Sequence, residues 1–414
     1  MVASALNPHL LPPNEELYRI EEGTPSPLPR RLFYSISARI GGKGLDQVAE
    51  EALLASQQGG FLAKALAYDQ KSDRVDRAKV ESLRWHPVRL LSFLESQRYY
   101  GAKKHYLDWW AARRLRQGPG AYDLAHSWSG ESLATIREAH AQGIPAIIDI
   151  PTWHRDKFKK LKQVTDKEKR LAAASWPRRA LDSLYISRAR MLAEYAEADL
   201  LITQSRMAAE TFLIQGVDPA KLVVLGRAVD ASKFRLGTPP EIFRVLFVGA
   251  LVKRKGAHTL LEAWSRLNLK DAELWLAGTV HEEMKPYLAQ FAGDNVKVLG
   301  FSAQVEDLFA QSSLFVLPSE LEGSAKVSYE AGAAGLPQIT TAAAGDFVVD
   351  GHNGRLIQPN NVDALAEALQ QMHTDPDLRA RMGRASRERV LEHFTWEHFR
   401  KRLLQVYSRA MKLS

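Results

Sequence analysis

The sequence contains no cysteine. Disulfide bonds, thiolate nucleophiles and cysteine-ligated zinc are therefore excluded, and the composition fits an intracellular protein. No apolar run approaches the ~18 residues that a membrane-spanning helix needs, and the first residues lack the basic-then-apolar pattern of a secretory signal. The scattered histidines include no HExxH pair. These absences predict a cytoplasmic protein, at most attached to the surface of the cytoplasmic membrane, and they indicate no metal site.

Positive charge is concentrated in one segment. The net charge is +8, and between Trp153 and Arg190 twelve basic and four acidic residues give the same excess of eight. Such a segment attracts phosphate, whether on a lipid headgroup, a glycan or a nucleic acid. The alternative interpretation is a solvated helix face.

The order of the predicted elements indicates two α/β domains. A length of 414 residues favours two domains of roughly 200 residues each. Short apolar strands alternate with helices in both halves, which predicts parallel sheets with right-handed crossovers. The segment 235–242 contains Pro-Pro and Gly and is predicted to be the linker about which the domains close. We therefore predict Rossmann-like domains at 1–234 and 235–390, facing across a cleft, and a final helix at 391–414 that crosses back to the first domain.

Two further segments have a distinctive composition. The first thirty residues are rich in Pro and Glu and predict an extended arm. Residues 73–118 are predicted to be helical, with basic residues interleaved among aromatic ones such as Tyr99, Tyr100, Trp109 and Trp110.

The segment PSELEGSAKVSYEAGAAGLP, residues 318–337, carries the strongest functional signal. It follows a buried strand, and Glu322 stands just before a helix that contains Glu330 and stops at Gly335. The helix N-terminus offers free backbone N–H groups and suits a diphosphate. Carboxylates repel a bare phosphate, but they accept hydrogen bonds from the vicinal hydroxyls of a sugar. The pattern predicts a sugar-diphosphate site, whereas two surface glutamates on an ordinary helix are the simpler alternative.

This segment resembles the glycosyltransferases of GT-B fold, and glycosyltransferase family 4 in particular. Glu322 and Glu330 look like that family's E-x7-E motif, and VGALVKRKG, EAGAAGLP and VDGHNGRLIQP extend the resemblance over almost all of residues 244–407. The resemblance implies that Glu330 holds the nucleotide ribose and Glu322 the donor sugar. The other donor contacts that it implies in this segment are Gly323, Ser324, Ala325, Lys326 and Val327.

The resemblance places a second group of donor residues in VGALVKRKG. Lys255 stands where the family has a lysine on the donor diphosphate, with Gly249 and Arg254 nearby. A cation there stabilises the charge that the leaving diphosphate gains as the glycosidic bond breaks. The family usually has arginine directly after the glycine, where this chain has Ala250. Lys253 or Arg254 is the expected substitute, and without one the leaving group is stabilised less well.

The amino-terminal half contains weaker signals. ISARIGGKG looks like the family's glycine-rich loop after the first strand, in which Gly41 and Gly42 let the backbone approach the donor phosphate or the acceptor. His126 and His154 stand at predicted strand ends, and Trp128 occupies a position where many family members have a histidine on the donor sugar. These three are predicted acceptor or sugar contacts. His154 is also predicted to be catalytic, with Glu322 and Lys255, whereas a structural role is the stronger alternative for His126.

The resemblance implies a retaining, metal-independent glycosyltransferase of cell-surface polysaccharide or glycolipid synthesis. Its donor is expected to be a UDP- or GDP-sugar, with no other cofactor, and its acceptor a glycan or a lipid-linked glycan. We hypothesise that the basic segment and the basic-aromatic helices bind an anionic membrane or an anionic glycan; the aromatic residues alternatively pack the core. No nucleic acid partner is expected, because such a protein would not need residues 318–337. A nucleotide-sugar epimerase of similar fold and a catalytically silent binding relative are the alternatives.

Overall fold

In a computed structural model, the chain forms two α/β domains, each built on one parallel sheet. The structure describes residue 11 and residues 14–21, 23–117, 120–156, 181–237, 240–302 and 304–413. Most of the predicted basic segment, residues 157–180, lies outside the described residues. The two parallel sheets confirm the predicted α/β class. None of the described helices is long and apolar enough to span a bilayer.

The N-terminal domain is built on seven parallel strands. They are β1 (Leu32–Ser35), β3 (Leu62–Ala67), β5 (Val80–Ser82), β6 (Leu124–Trp128), β7 (Ala146–Ile150), β8 (Leu200–Thr203) and β9 (Leu222–Val224). Their order in the sheet is β5-β3-β1-β6-β7-β8-β9. A separate parallel pair consists of β2 (Arg39–Ile40) and β4 (Asp69–Gln70). The central strands are buried on both faces, as is usual for parallel sheets that helices cover, and this explains their nearly continuous apolar sequences.

The helices of this domain within the described ranges are α1 (Asn14–Leu17), α2 (Leu45–Gln58), α3 (Ser96–Leu115), α4 (Leu133–Ala141), α5 (Arg188–Glu197) and α6 (Arg206–Leu213). The prediction that residues 73–118 are helical is only partly right, because this range also contains β5 and two short 3₁₀ turns. The strand is short and lies at the edge of the sheet, so its apolar pattern is weak. Tyr18 in the predicted arm is buried, and its hydroxyl donates to Asp346 of the other domain.

The C-terminal domain is built on six parallel strands. They are β10 (Phe243–Val248), β11 (Ala272–Ala277), β12 (Val296–Gly300), β13 (Leu314–Leu317), β14 (Gln338–Thr340) and β15 (Gly354–Leu356), in the order β12-β11-β10-β13-β14-β15. Its described helices are α7 (Ala257–Leu267), α8 (Lys285–Phe291), α9 (Val305–Ala310), α10 (Lys326–Ala333), α11 (Val362–Thr374) and α12 (Pro376–His393).

The chain crosses between the domains earlier than the predicted linker at 235–242. Val229 and Phe234 already pack in the core of the C-terminal domain, and Phe234 contacts Phe309. Arg235 forms an ion pair with Asp307 on the surface of that domain. Pro-Pro therefore marks a surface loop at the entry to β10, and the connection between the domains is the segment that follows β9.

A second crossing lies beside the first one. Helix α13 (Trp396–Met411) packs against α2, and Phe399, Leu403 and Tyr407 complete the core of the N-terminal domain. The helix thus packs on the first domain. It begins at Trp396, whereas the predicted final segment spans 391–414. The backbone N–H of Val229 donates to the carbonyl of Phe394 at 2.9 Å. The two connecting segments therefore run side by side, and motion between the domains has to bend both.

Candidate functional site

Both sheets reverse their strand order beside the first strand of the domain. In the C-terminal sheet the chain runs from β10 outward to β12 and then returns to β13 on the other side of β10. Ligands of open α/β sheets bind beyond the carboxyl ends of the strands at such a point. The loops that follow β10 and β13 there contain the two predicted donor segments. In the N-terminal sheet the reversal lies between β1 and β6, and the loop after β1 contains Gly41 and Gly42.

Glu322 lies beside both predicted cations. Its Oε1 accepts a hydrogen bond from Nη1 of Arg254 at 2.9 Å and is 3.3 Å from Nζ of Lys255. The Lys255 side chain is only 18% exposed, whereas that of Arg254 is 48% exposed. Gly249 leaves room for the lysine, because a Cβ at this position would lie 3.1 Å from Nζ. Two cations against one carboxylate leave a net positive charge next to the start of α10.

The start of α10 has free donors. The helix begins at Lys326 after the N-cap residue Ala325, and no side chain in the described part of the chain caps it. The N–H of Ala325 already donates to the carbonyl of Ala344 at 2.7 Å, and the Ser324 hydroxyl is bonded to Tyr329 Oη at 3.0 Å. The N–H of Ser328 also donates to the carbonyl of Ala325, at 3.0 Å, so the groups left for an anion are the N–H groups of Lys326 and Val327. The Ser324 hydroxyl and the Ala325 N–H, in two residues predicted to contact the donor, are therefore occupied by protein atoms.

Glu330 is the fifth residue of α10. One of its carboxylate oxygens lies 2.7 Å from Nζ of Lys326, one turn earlier in the helix. Glu330 is half-buried, so its carboxylate is fixed at the same end of the helix as Glu322. The structure thus brings together the two glutamates of the motif, the two cations and an uncapped helix N-terminus.

Arg227 is a site residue that the sequence did not suggest. Its Nε donates to the carbonyl oxygen of Ser324 at 2.6 Å, and its side chain lines a small cavity between the domains together with Gly44 and Lys326. Burial lowers the pKa of its guanidinium, and the nearby acidic groups, Glu330 among them, oppose that shift. Arg227 stands in the apolar run LGRAV that connects the domains, and a charged residue there was the only signal for it.

The glycine-rich loop after β1 approaches the site through Gly44. This residue has φ +66°, and it lines the cavity that also contains Lys326. Gly41 has φ +87°, and a Cβ there would lie 2.5 Å from Cβ of Ser72, so the loop packs against its own domain at that point. Gly42 similarly faces Asp46. The glycine of this loop that lines the cavity with Lys326 is therefore Gly44, whereas the predicted Gly41 and Gly42 pack against their own domain.

The two predicted histidines and Trp128 do not reach the cleft. His126 is fully buried, and its ring nitrogens bind Tyr407 Oη at 3.0 Å and Asp149 Oδ2 at 2.9 Å. Nε1 of the buried Trp128 donates to Tyr34 Oη at 2.8 Å. These contacts belong to the core of the N-terminal domain, so both residues have structural roles in this conformation.

His154 is also packed inside the domain, where it is 3% exposed. Its ring contacts Tyr195 and Phe212, and its Nδ1 accepts the backbone N–H of Asp156. Burial lowers the pKa of His154 to about 4, which keeps the ring neutral at pH 7. A ring with so little exposed surface does not touch a ligand here. The predicted catalytic role is therefore not supported by its position.

Among the described residues, several hydrogen bonds join the domains around the site, besides that of Tyr18 with Asp346. Ser205 Oγ donates to the carbonyl of Gly323 at 2.6 Å, the N–H of Arg206 donates to Asp346 Oδ2 at 2.5 Å, and Arg227 binds Ser324 as described. Gly323 is also packed against Pro151, because a Cβ on Gly323 would lie 2.4 Å from the Pro151 carbonyl oxygen. The domains are thus closed on each other directly over the start of α10. Within the described ranges no cluster of three His, Asp or Glu side chains is placed to hold a metal ion.

The sequence matches the family described as "Glycosyl transferases group 1" over residues 229–389. The D-inositol 3-phosphate glycosyltransferase of Streptomyces avermitilis is 30% identical over 330 residues, which cover 73% of this chain and 68% of that protein. This chain belongs to the glycosyl transferases group 1 family. The matched region begins at the first crossing between the domains and contains both donor loops. The predicted family resemblance is therefore confirmed at this level.

Other members of the family match over shorter regions. The lipopolysaccharide core biosynthesis glycosyltransferase LpsE of Rhizobium meliloti is 31% identical over 188 residues, which cover 44% of this chain and 54% of that protein. The chain spans about half the length of this and other similar curated relatives. The similarity is concentrated where the donor motifs lie.

Solved structures establish the fold over nearly the whole chain. The Anabaena protein Alr3699/HepE, crystallised in complex with UDP and glucose, has a TM-score of 0.62 at 16% identity, and the alignment covers 91% of this chain and 99% of that one. The predicted GT-B arrangement of two Rossmann-like domains is confirmed. At this low identity the likeness applies to the fold alone.

Proposed function

We propose that the protein transfers a sugar from a nucleotide-diphosphate sugar to a glycan or lipid-linked acceptor. The observation that carries the proposal is the grouping of Glu322, Glu330 and Lys255 at the uncapped start of α10. Helix dipole and lysine suit the diphosphate, while the carboxylates suit the hydroxyls of ribose and sugar. A site for phosphate alone would not combine acidic side chains with the anion-binding helix end.

The ion pairs of Glu322 suggest how the donor is accommodated. A diphosphate carries more charge than one carboxylate, so it competes with Glu322 for Arg254 and Lys255. Displacement frees the carboxylate oxygens of Glu322 to accept hydrogen bonds from the donor sugar. The same residues then act at two stages, because the lysine stabilises the charge that develops on the leaving diphosphate.

Arg227 supplies the cation that is missing at Ala250. The family usually has arginine at the latter position, and neither Lys253, which lies over the ring of Tyr287, nor Arg254, which pairs with Glu322, is as buried as Arg227. Arg227 is held against the loop before α10 by its bond to Ser324. A half-buried guanidinium at this place binds phosphate in a low-dielectric setting, where its charge acts more strongly.

The transfer is proposed to retain the anomeric configuration without a metal, as in glycosyltransferase family 4. The bond between the anomeric carbon and the phosphate oxygen breaks, the acceptor oxygen forms its bond on the same face, and its proton passes to the leaving phosphate. The protein then has to orient both substrates and stabilise charge, and it needs no nucleophile or base of its own.

The donor nucleotide is proposed to be UDP or GDP, and the product a cell-surface polysaccharide or glycolipid. Two similar proteins support these choices: LpsE, a glycosyltransferase of lipopolysaccharide core biosynthesis, and HepE, crystallised with UDP and glucose. The whole reaction would take place at the cytoplasmic face of the membrane, where nucleotide sugars are at hand.

A donor panel tests the proposal. UDP-, GDP-, ADP- and TDP-sugars are scored by thermal shift and by slow hydrolysis of the donor, and the anomer of the released sugar is identified by NMR. Glu322→Gln and Glu330→Gln should each lower turnover roughly 10- to 150-fold, because a hydrogen bond to a charged group is worth about 1.5–3 kcal/mol. Glu367→Gln, an exposed change on α11, is the matched control.

Wild-type rates in both site variants would contradict the assignment. Nucleotide binding without turnover would favour the silent relative, and conversion of the donor sugar without acceptor or hydrolysis would favour an epimerase.

A further inference from the structure

A cavity of about 210 Å³ lies in the N-terminal domain, away from the donor loops. Its lining combines cations with aromatic rings: Arg39, Tyr68, Asp69, Arg84, His86, Arg89, Tyr99 and Lys103. These residues follow the carboxyl ends of β1, β3 and β5 or belong to the first turns of α3. The cavity is therefore on the ligand-binding edge of the N-terminal sheet, in the domain that faces the donor loops.

Four of these cations lack a carboxylate partner. Among the described residues, the structure shows no ion pair for Arg39, Arg84, Arg89 or Lys103, although Arg98, Lys104 and Arg114 on the same helix as Lys103 each pair with an acidic side chain. Lys103 instead lies over the ring of Tyr68, with Nζ 3.9 Å from its centroid. The four cations of the cavity are thus unpaired among the described residues, whereas three other basic residues of α3 are paired.

The cations also raise each other's electrostatic energy. Burial, and next the charge of Arg39, lower the pKa of Lys103. Burial, with Lys103 and Arg89, lowers the pKa of His86 to about 4, so His86 is neutral at pH 7. Asp69 is the single acidic residue on the lining. Two carboxylates beyond it act on the pKa of Lys103: Glu131, which already binds Lys104 and Ser37, and Asp46, which accepts the backbone N–H of Arg39 at 3.2 Å. An anion placed in the cavity would relieve this repulsion, and a phosphate group has the charge and the acceptor oxygens for it.

The surface beside the cavity is apolar. Trp85 is 84% exposed, Leu90 80% and Phe93 79%, and all three lie between β5 and α3, interleaved in the sequence with the cavity's cations. Arg89 lies over the Trp85 ring at 4.9 Å. Large exposed apolar side chains next to a basic site are typical of proteins that contact membrane lipid at its headgroup level. A water-soluble phosphate ester would make no use of them.

The loop that contributes Arg39 also connects the cavity to the donor site. It continues through the glycines to Gly44, which lines the cavity that contains Lys326 of α10. A ligand whose phosphate is held at Arg39 and Lys103 therefore lies along the same loop as the donor sugar. This placement suits an acceptor better than an unrelated lipid.

We propose that this cavity binds the phosphate of a lipid-linked acceptor, with the lipid chain lying over Trp85, Leu90 and Phe93. The word acceptor rests on the proposed glycosyl transfer, but binding itself does not. The ligand class is a phosphate ester of a long-chain alcohol. The proposed binding differs from the general attraction of a basic protein to an anionic membrane, because it depends on a defined set of four cations.

Vesicle binding by the full chain tests the proposal without any donor. Phosphatidylcholine vesicles containing a polyprenyl phosphate are compared with vesicles that contain the same mole fraction of cholesteryl hemisuccinate, a carboxylate lipid. We expect Arg89→Gln/Lys103→Gln to weaken binding to the phosphate vesicles on the order of 10- to 30-fold, from about fivefold for each cation at a lipid surface. Arg113→Gln/Arg381→Gln removes two charges from exposed positions and should change binding less than threefold.

Two further variants protect the test against misfolding and separate the sources of phosphate. Arg84→Gln/Arg89→Gln alters exposed side chains only and should reproduce the loss. Trp85→Ser/Phe93→Ser should weaken vesicle binding but leave binding of soluble glycerol phosphate unchanged.

Equal binding to both kinds of vesicle, or an equal loss in the control pair, would overturn the proposal. Full displacement from the vesicles by an equimolar amount of glycerol phosphate would assign the cavity to a water-soluble ester and would also overturn it. Donor hydrolysis by the cavity variants is measured in parallel. If the wild-type chain hydrolyses the donor but does not prefer the phosphate vesicles, the proposed function stands and the cavity assignment falls. Selective vesicle binding without donor hydrolysis by the wild type rejects the proposed function alone.

Discussion

Replacing Gly323 by alanine tests whether the closed arrangement of the domains is the active one. A Cβ at Gly323 would lie 2.4 Å from the carbonyl oxygen of Pro151 and 3.1 Å from Cα of Thr152. Gly323 belongs to the C-terminal domain and Pro151 to the N-terminal one, so the overlap exists only when the domains are closed. An oxygen of the backbone cannot swing aside as the end of a long side chain does. Closure must therefore relax by several tenths of an ångström.

The cost can be set against known magnitudes. Overpacking by a methyl group costs about 1–3 kcal/mol, and parting the domains also weakens the bond from Ser205 Oγ to the Gly323 carbonyl, worth about 1 kcal/mol. The closed state is then disfavoured by about 2–4 kcal/mol, which corresponds to roughly a 30- to 1,000-fold fall in its population relative to the open one. If turnover needs closure, kcat/KM falls by the same factor.

The assay is donor hydrolysis or transfer, together with nucleotide affinity and thermal stability. Ser205→Ala removes the hydrogen bond to the Gly323 carbonyl together with the N-cap bond that its hydroxyl accepts from the Ala208 N–H of α6. It should lower kcat/KM about fivefold, and the loss of the cap is read separately from thermal stability. Gly293→Ala is the control, because the nearest atom to its Cβ, Oδ1 of Asn295, lies 3.8 Å away. Wild-type kcat/KM in Gly323→Ala would refute the reasoning. A parallel loss of nucleotide affinity would show that the methyl group blocks the donor directly.

Three further outcomes are expected. Arg227→Gln should lower kcat/KM roughly 10- to 100-fold, because a charge-assisted hydrogen bond is lost. Arg227→Lys should recover part of this kcat/KM, and the surface variant Arg235→Gln should leave it unchanged. Unchanged turnover in Arg227→Gln would remove the proposed role of Arg227. His154 has its folded-state pKa lowered to about 4, below the unfolded value, so its contribution to stability is present above about pH 6.5 and is lost as the pH falls toward 4. Urea unfolding should therefore show that His154→Gln loses roughly 2 kcal/mol less than wild type between pH 7 and pH 5, whereas equal losses would mean that His154 is not the titrating group. Phe394 and Thr395 belong to the second crossing and lie beside Val229. Thr395→Ala removes the N-cap bond of α13 to His398 and should lower the unfolding free energy by about 1 kcal/mol. If hydrogen exchange then increased only in the C-terminal domain, the packing of α13 on the other domain would be contradicted.

The local structure around Glu322, Glu330 and Lys255 was predictable because its signals are local. The strand, the loop with Glu322 and the helix with Glu330 follow one another within about twenty residues, and each is fixed by short-range patterns such as an apolar run, a glycine and a helix stop. The loop with Lys255 follows a strand in the same manner. The position of these loops next to each other then follows from the parallel sheet.

The N-terminal half was less predictable because its contacts are distant in the sequence. His126 is satisfied by Tyr407, 281 residues later, and no local pattern indicates that pairing. The crossing between the domains was placed too late, because Pro-Pro is a strong loop signal whereas the apolar run with Arg227 looks like part of a strand. The cationic cavity was hidden for the same reason, since Arg39, Arg84 and Lys103 come together only through the order of β1, β3 and β5.

Helix α13 has a consequence for biosynthesis. Its residues Phe399, Leu403 and Tyr407 fill the core of the first domain, but the ribosome makes them after the entire second domain. While the second domain is translated and folds, the first domain therefore lacks α13 and has an unfilled groove along α2. The N-terminal domain can finish folding only after the C-terminal domain has been synthesised. In a nascent chain that stalls before residue 396, the N-terminal domain is therefore the part most exposed to chaperones and proteases.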